Sequence, residues 1–171
     1  MIFDFLKFSF PLGLSRNGEF LYVEGSTGLF IYERVDSGPF TSIQKVSDTS
    51  IHSNAQVSED GKYLAFFYNE SLLQTYEKVN GTYSLLQQIY GSSYSLLSMS
   101  PNSSYIPVSE TVSTDLKIYK KSEKTFALFR TLSIAFFIWR LTITDTHLLA
   151  TGLFSNILIY ENRNGVYAQA Y

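Results

Sequence analysis

The sequence predicts an all-β chain of four four-stranded antiparallel units, and three observations carry that prediction. Apolar residues recur in four columns at one period. The segments between them are short and rich in turn-forming residues. The apolar runs themselves are four to seven residues long, too short for free-standing helices.

The period comes first. Phe20, Tyr63, Tyr105 and Leu148 are 43, 42 and 43 residues apart, and Tyr32, Tyr76, Tyr119 and Tyr160 are 44, 43 and 41 apart. Phe40, Tyr83, Phe126 and Tyr167 are spaced by 43, 43 and 41, and Leu14, Val57, Met99 and Ile143 by 43, 42 and 44. Self-similarity at 20–50 residues marks a repeat architecture, with one supersecondary unit per copy. The unit is plainest over residues 54–89: a run at Asn54–Ser58, a second at Tyr63–Tyr68, a third at Leu72–Tyr76 and a fourth at Tyr83–Ile89. These runs are dominated by Tyr, Phe, Ile, Val and Leu, which suit a pleated, half-buried surface.

Turn chemistry separates the runs in register with the period. Between the first and second stand Ser15-Arg16-Asn17-Gly18, Ser58-Glu59-Asp60-Gly61 and Ser100-Pro101-Asn102-Ser103, shortened in the fourth copy to Thr144-Asp145-Thr146. Asn, Asp and Gly tolerate the left-handed backbone of tight turns. Between the third and fourth runs, Asn80-Gly81 and Asn164-Gly165 are the pair that a type I′ hairpin prefers. Asp36-Ser37-Gly38-Pro39 and Ser122-Glu123-Lys124 fill the same place in the other copies.

Four antiparallel strands in about 43 residues is the blade of a β-propeller. The expected blades span residues 8–46, 54–89, 95–132 and 139–171 of a single domain, 1–171. Here the chain resembles the WD-repeat propellers, over residues 8–171. The Ser-x-Asp/Asn-Gly turn, the apolar strand after it and the aromatic third strand match that family. Tyr32-Glu33, Tyr76-Glu77 and Tyr160-Glu161 stand where the family has Trp-Asp, with Tyr119-Lys120 in the third copy. The chain departs from the family in having no Gly-His pair ahead of strand one and no Asp in the strand two–three turn. The family's buried Asp–His–Ser/Thr–Trp network therefore cannot be built, and the resemblance is to a divergent WD-repeat-like propeller.

Composition excludes several functions. A net charge of −2 with 16% charged residues gives no concentrated Lys/Arg surface for nucleic acid. There is no cysteine, which removes disulfides and zinc–thiolate sites. The longest apolar stretch, Ile134–Trp139, is far below the roughly 20 residues of a spanning helix, so no membrane insertion is expected. Asp4 and Lys7 interrupt the apolar N-terminus, which is not read as a secretion signal. Cytoplasmic is the expected location, and the sequons at Asn69, Asn80 and Asn102 are read as coincidental. Met1–Phe3 falls where the tail of another strand four would lie, which suggests further blades; an irregular leader is the plainer reading.

Candidate sites are few. The tyrosine column Tyr32, Tyr76, Tyr119, Tyr160 is read as packing between blades, as repeated cores require. The connection from the third to the fourth blade, Leu132–Trp139, is apolar where its counterparts at 46–53 and 89–95 are polar. It either folds over the core or meets a partner, and Phe136, Phe137, Ile138 and Trp139 are the candidate protein interface. Propeller enzymes such as lactonases place carboxylates, His or Asn where strand one reaches the central channel. The strand-one segments here offer Ser53, Asn54, Gln56, Ser95 and Arg140, without a pair of carboxylates or a His–carboxylate set. His52 and His147 occupy non-equivalent repeat positions, and Gly25 and Gly28 lack phosphate-loop spacing, so no metal or cofactor is expected.

The expected function is a non-catalytic protein–protein interaction scaffold. The alternative is a ligand-binding or hydrolase/lactonase-like propeller whose site is completed by another chain or by missing blades. A degenerate fragment without its own function is a third reading. Four blades close into a small ring or form an incomplete propeller, whereas the resemblance implies about seven. An open arc exposes aromatic faces on its end blades, so self-association is expected, two chains giving eight blades, or else a protein partner.

Overall fold

The computed structural model describes residues 10–15, 17–25, 28–46, 54–111, 113–152, 156–163 and 166–170. Every regular element among them is a strand. The first sheet contains β1 (Phe10–Leu14), β2 (Phe20–Gly25), β3 (Gly28–Glu33) and β4 (Thr41–Lys45). The second contains β5 (Ala55–Val57), β6 (Tyr63–Asn69), β7 (Leu72–Val79) and β8 (Thr82–Tyr90). The third contains β9 (Tyr94–Leu97), β10 (Tyr105–Glu110), β11 (Asp115–Ser122) and β12 (Thr125–Ser133). The fourth contains β13 (Ile138–Ile143), β14 (His147–Gly152), β15 (Ile157–Arg163) and β16 (Val166–Gln169). Each sheet is an antiparallel meander with its strands in chain order, so the fold is an all-β array of four four-stranded sheets. Met1–Phe3, His52 and Ser53 lie outside the described residues.

The first turn of each sheet is built by a side-chain clamp. Ser58 Oγ donates to Asp60 Oδ1 (2.6 Å) and accepts from the Tyr63 N–H (2.9 Å), while Asp60 Oδ1 also accepts from the Lys62 N–H (2.9 Å). Ser15 with Asn17 and Ser100 with Asn102 repeat all three bonds. The position after the Asx residue is left-handed each time: Gly18 at φ 74°, Gly61 at 65° and Ser103 at 57°. In the fourth sheet Thr144 Oγ1 accepts directly from the His147 N–H (2.9 Å), in a turn two residues shorter.

That shortening corrects one column. Phe20 pairs with Glu33, Tyr63 with Glu77 and Tyr105 with Lys120, but the residue opposite Glu161 is His147, not Leu148. A one-residue offset reverses the face of a strand. Leu148 is thus the equivalent of Leu64 and Ile106, and like them it is fully buried.

Alternation gives each sheet two apolar faces: a leading face toward the next sheet and a trailing face toward the previous one. Three cores result, one per successive pair. Phe20, Tyr22, Leu29 and Ile31 of the first sheet meet Leu64, Phe66, Tyr76 and Tyr83 of the second. Tyr63, Ala65, Phe67 and Leu73 meet Ile106, Val108, Tyr119 and Phe126. Tyr105, Leu116, Ile118 and Leu132 meet Leu148, Ala150, Tyr160 and Tyr167. Tyr76, Tyr119 and Tyr160 all lie on trailing faces, buried against the preceding sheet, and Phe66 stacks on Tyr76 at 5.3 Å. The sheets pack in chain order and the array is not closed.

Candidate functional site

The innermost strands β1, β5, β9 and β13 stand side by side around a cavity of about 460 Å³. Leu14, Val57, Met99 and Ile143, one from each repeat, line it together with Tyr22, so the first column of the sequence is the wall of the central channel. The turns after β5, β9 and β13 stand at one end of the channel, and each is tied to the next. The Glu59 N–H donates to the Pro101 carbonyl (3.0 Å), and the Asn102 N–H to Asp145 Oδ1 (3.4 Å). Polar lining comes from Gln56, Glu59, Ser98, Thr142 and Thr144. Tyr22 is buried, its hydroxyl has no hydrogen-bond partner among the described residues, and burial holds it far above the ordinary tyrosine range. That hydroxyl is a neutral donor, not a base.

The strand-one residues singled out by sequence separate. Gln56 lines the cavity. Asn54 Nδ2 donates to the Ser95 carbonyl (2.9 Å), which spends it on joining β5 to β9. Arg140 is exposed and is not part of the lining. His147 is exposed at the start of β14, beside Thr146 Oγ1 at 2.9 Å from its Nδ1. Among the described residues no three His, Asp or Glu side chains gather as a metal site would require. No helix among them is long and apolar enough to cross a membrane.

The apolar connection before the fourth sheet divides by alternation. Ile134 is buried, and Phe136 and Ile138 pack against the third core. Phe136 lies so close to Gly152 that a Cβ there would stand 2.3 Å from its Cδ2. Phe137 and Trp139 face the other way and are 63% and 65% exposed. The segment is thus anchored from beneath and presents two exposed aromatic side chains.

Two features carried no signal in the repeat reading. Glu110, at the end of β10, is buried and takes Lys117 Nζ at 2.7 Å and the Ser113 hydroxyl at 3.3 Å. Burial opposes its charge, but the Lys117 ammonium and Ser92 outweigh it and hold the carboxyl below the usual range. Gln44 and Gln87, 43 residues apart, bridge neighbouring sheets; they keep the period of the repeat but stand outside its apolar columns.

No family model matches the sequence, and no curated protein matches it. Solved structures do match in fold. A Bacteroides uniformis protein provisionally named a 6-phosphogluconolactonase aligns with a TM-score of 0.69 at 14% identity, over 93% of this chain and 52% of that one. The β-propeller domain of Cps50 (Swd1) from Myceliophteria thermophila aligns with 0.64 at 15% identity, over 88% and 52%. A Desulfotomaculum acetoxidans protein of unknown function aligns with 0.73 at 13% identity, over 95% and 55%. The chain spans about half the length of these structures, and at such identities the likeness is one of fold alone.

Proposed function

We propose that the chain is a cytoplasmic, non-catalytic protein-interaction scaffold, built as a divergent WD-repeat-like propeller, whose partner covers Phe137 and Trp139. The observation that carries this reading is their exposure on a connection whose other large apolar residues, Leu132, Ile134, Phe136 and Ile138, are anchored in the core. Large aromatic side chains bury much area with only two χ angles to order, which is why they dominate interface energetics. The test is proximity crosslinking in cells with the wild-type chain and with Phe137→Ser/Trp139→Ser. Phe136 is left intact because it belongs to the core. Loss of a defined crosslinked partner with an unchanged β circular dichroism spectrum is the expected result. An unchanged crosslink pattern would sink the reading.

The cavity favours a second reading, a ligand-binding or lactonase-like propeller. Its described lining holds the carboxylate of Glu59 and no Lys, Arg or His, so a phosphorylated ligand finds no countercharge there. Gln56, Ser98 and Thr142 suit the hydroxyls of a neutral polyol or sugar lactone. Turnover of a sugar lactone that falls with Glu59→Gln, or with a chelator, would favour this reading over the scaffold.

A further inference from the structure

The register makes the end faces of the array comparable, position by position, with the faces buried inside it. One leading-face position is Leu29, Leu73 and Leu116 in the first three sheets, each at 0% exposure, and Ile157 in the fourth, at 56%. One trailing-face position is Tyr83, Phe126 and Tyr167, each at 2%, and in the first sheet it is Phe40, partly exposed. Tyr32 and Leu21, the first-sheet counterparts of Tyr76 and Leu64, are partly exposed too. Val23 on that face is already buried. The two ends thus carry the two halves of a junction that the chain forms three times within itself.

Charge agrees with shape. At the first junction Lys78 reaches back from the second sheet to Glu33 (Nζ–Oε1 2.9 Å) and lies over the Phe20 ring at 4.7 Å. Arg34 stands at the Lys78 position of the first sheet: its N–H donates to the Glu19 carbonyl as that of Lys78 donates to Lys62. Glu161 stands at the Glu33 position of the fourth, opposite His147 as Glu33 is opposite Phe20. Arg34 Nε is buried without a hydrogen-bond partner among the described residues, and Glu161 is held by the exposed Arg163. The trailing end presents a cation and the leading end an anion at the two positions that pair at the first junction.

We propose that the occupant of each end is a second copy of this chain. The leading face of the fourth sheet in one copy receives the trailing face of the first sheet in the other, with Ile157 covered and Arg34 paired to Glu161. The same contact forms twice about a two-fold axis, so the head-to-tail interface closes into one eight-sheet ring instead of an open filament. The chain spans about half the length of its structural neighbours, so two copies amount to about the length of one of them.

Light scattering across a concentration series tests this on the whole chain. The expected mass is twice 19.5 kDa, with Ile157→Arg weakening the dimer at least about tenfold at unchanged circular dichroism. Arg34→Glu and Glu161→Arg each weaken the dimer, and the two together in one chain restore it, a result that misfolding cannot mimic. A 19.5 kDa monomer at every concentration, open-ended polymers, or a dimer indifferent to all these substitutions would overturn the proposal.

Discussion

Gln87 holds Phe126 by both ends of its amide. Its Nε2 donates to the Phe126 carbonyl at 3.1 Å and its Oε1 accepts from the Phe126 N–H at 2.7 Å, across the boundary between the second and third sheets. Gln44 does the same for Tyr83 one junction earlier, at 2.8 and 2.6 Å. A primary amide presents one donor and one acceptor side by side, so it mimics the edge of a strand and extends the ladder to the neighbouring sheet. At the third junction this position is Arg130, exposed and with no acceptor to offer.

Gln87→Ala leaves both Phe126 backbone groups without these partners at a partly buried site, and the expected loss is about 1–3 kcal/mol. Gln87→Glu keeps the acceptor but turns an oxygen toward the Phe126 carbonyl, so it does not rescue. Arg130→Ala, which breaks no such clasp, stays within about 0.5 kcal/mol. Urea titrations of the three variants check this, and equal midpoints for Gln87→Ala and wild type would refute it.

Gly61 and Gly81 separate two reasons for glycine. Gly61 is left-handed at φ 65°, and a Cβ there would stand 2.1 Å from Phe20 Cε2 of the neighbouring sheet. Gly81 is left-handed at 82° with nothing within 4 Å of a Cβ. Gly81→Ala therefore carries only the backbone cost, about 1–2 kcal/mol. Gly61→Ala adds displacement of a core ring and is expected to lose about 1–3 kcal/mol more. Thermal melts order the two, and equal shifts would show that Phe20 moves aside freely.

Glu110 and Lys117 give a pH signature. The folded-state Glu110 carboxyl titrates below its ordinary value, so its contribution is full above the unfolded carboxylate range and is lost as pH falls through the lowered folded value. Lys117 titrates above its ordinary value, chiefly because its ammonium donates a hydrogen bond to Glu110. Its contribution is full below the unfolded lysine range and is lost as pH rises through the raised folded value. Glu110→Gln removes the counter-charge of the partly exposed lysine and is expected to cost about 1–2 kcal/mol at neutral pH. The difference from wild type should shrink in acid. A gap that persists at low pH would mean that the carboxylate charge is not what matters.

The turns were legible because they are local. Each Ser–Asx clamp closes within six residues and the Asn80-Gly81 hairpin within two, so side-chain chemistry alone specifies them, while Asn164-Gly165 lies outside the described residues. The aromatic columns were legible for a related reason: every sheet must bury two faces, and alternation writes that need into the chain. The apolar connection was legible only as a stretch. Which of its side chains turn inward follows from where Gly152 and the third core stand, and that separates Phe136 and Ile138 from Phe137 and Trp139.

By itself, then, the sequence determined the four-stranded unit, its four copies, the turn after each first strand and the Asn80-Gly81 hairpin, all of which depend on interactions within one repeat. Tertiary structure decided the rest. The turn at Thr144 is two residues shorter than its counterparts, one more than the Leu148 column allows, and that puts His147, not Leu148, on the leading face. The Gln44 and Gln87 clasps join residues 39 apart. The uncovered state of Ile157 depends on whether a further sheet stands in front of it, a matter of curvature accumulated over the whole array and not of any segment within it.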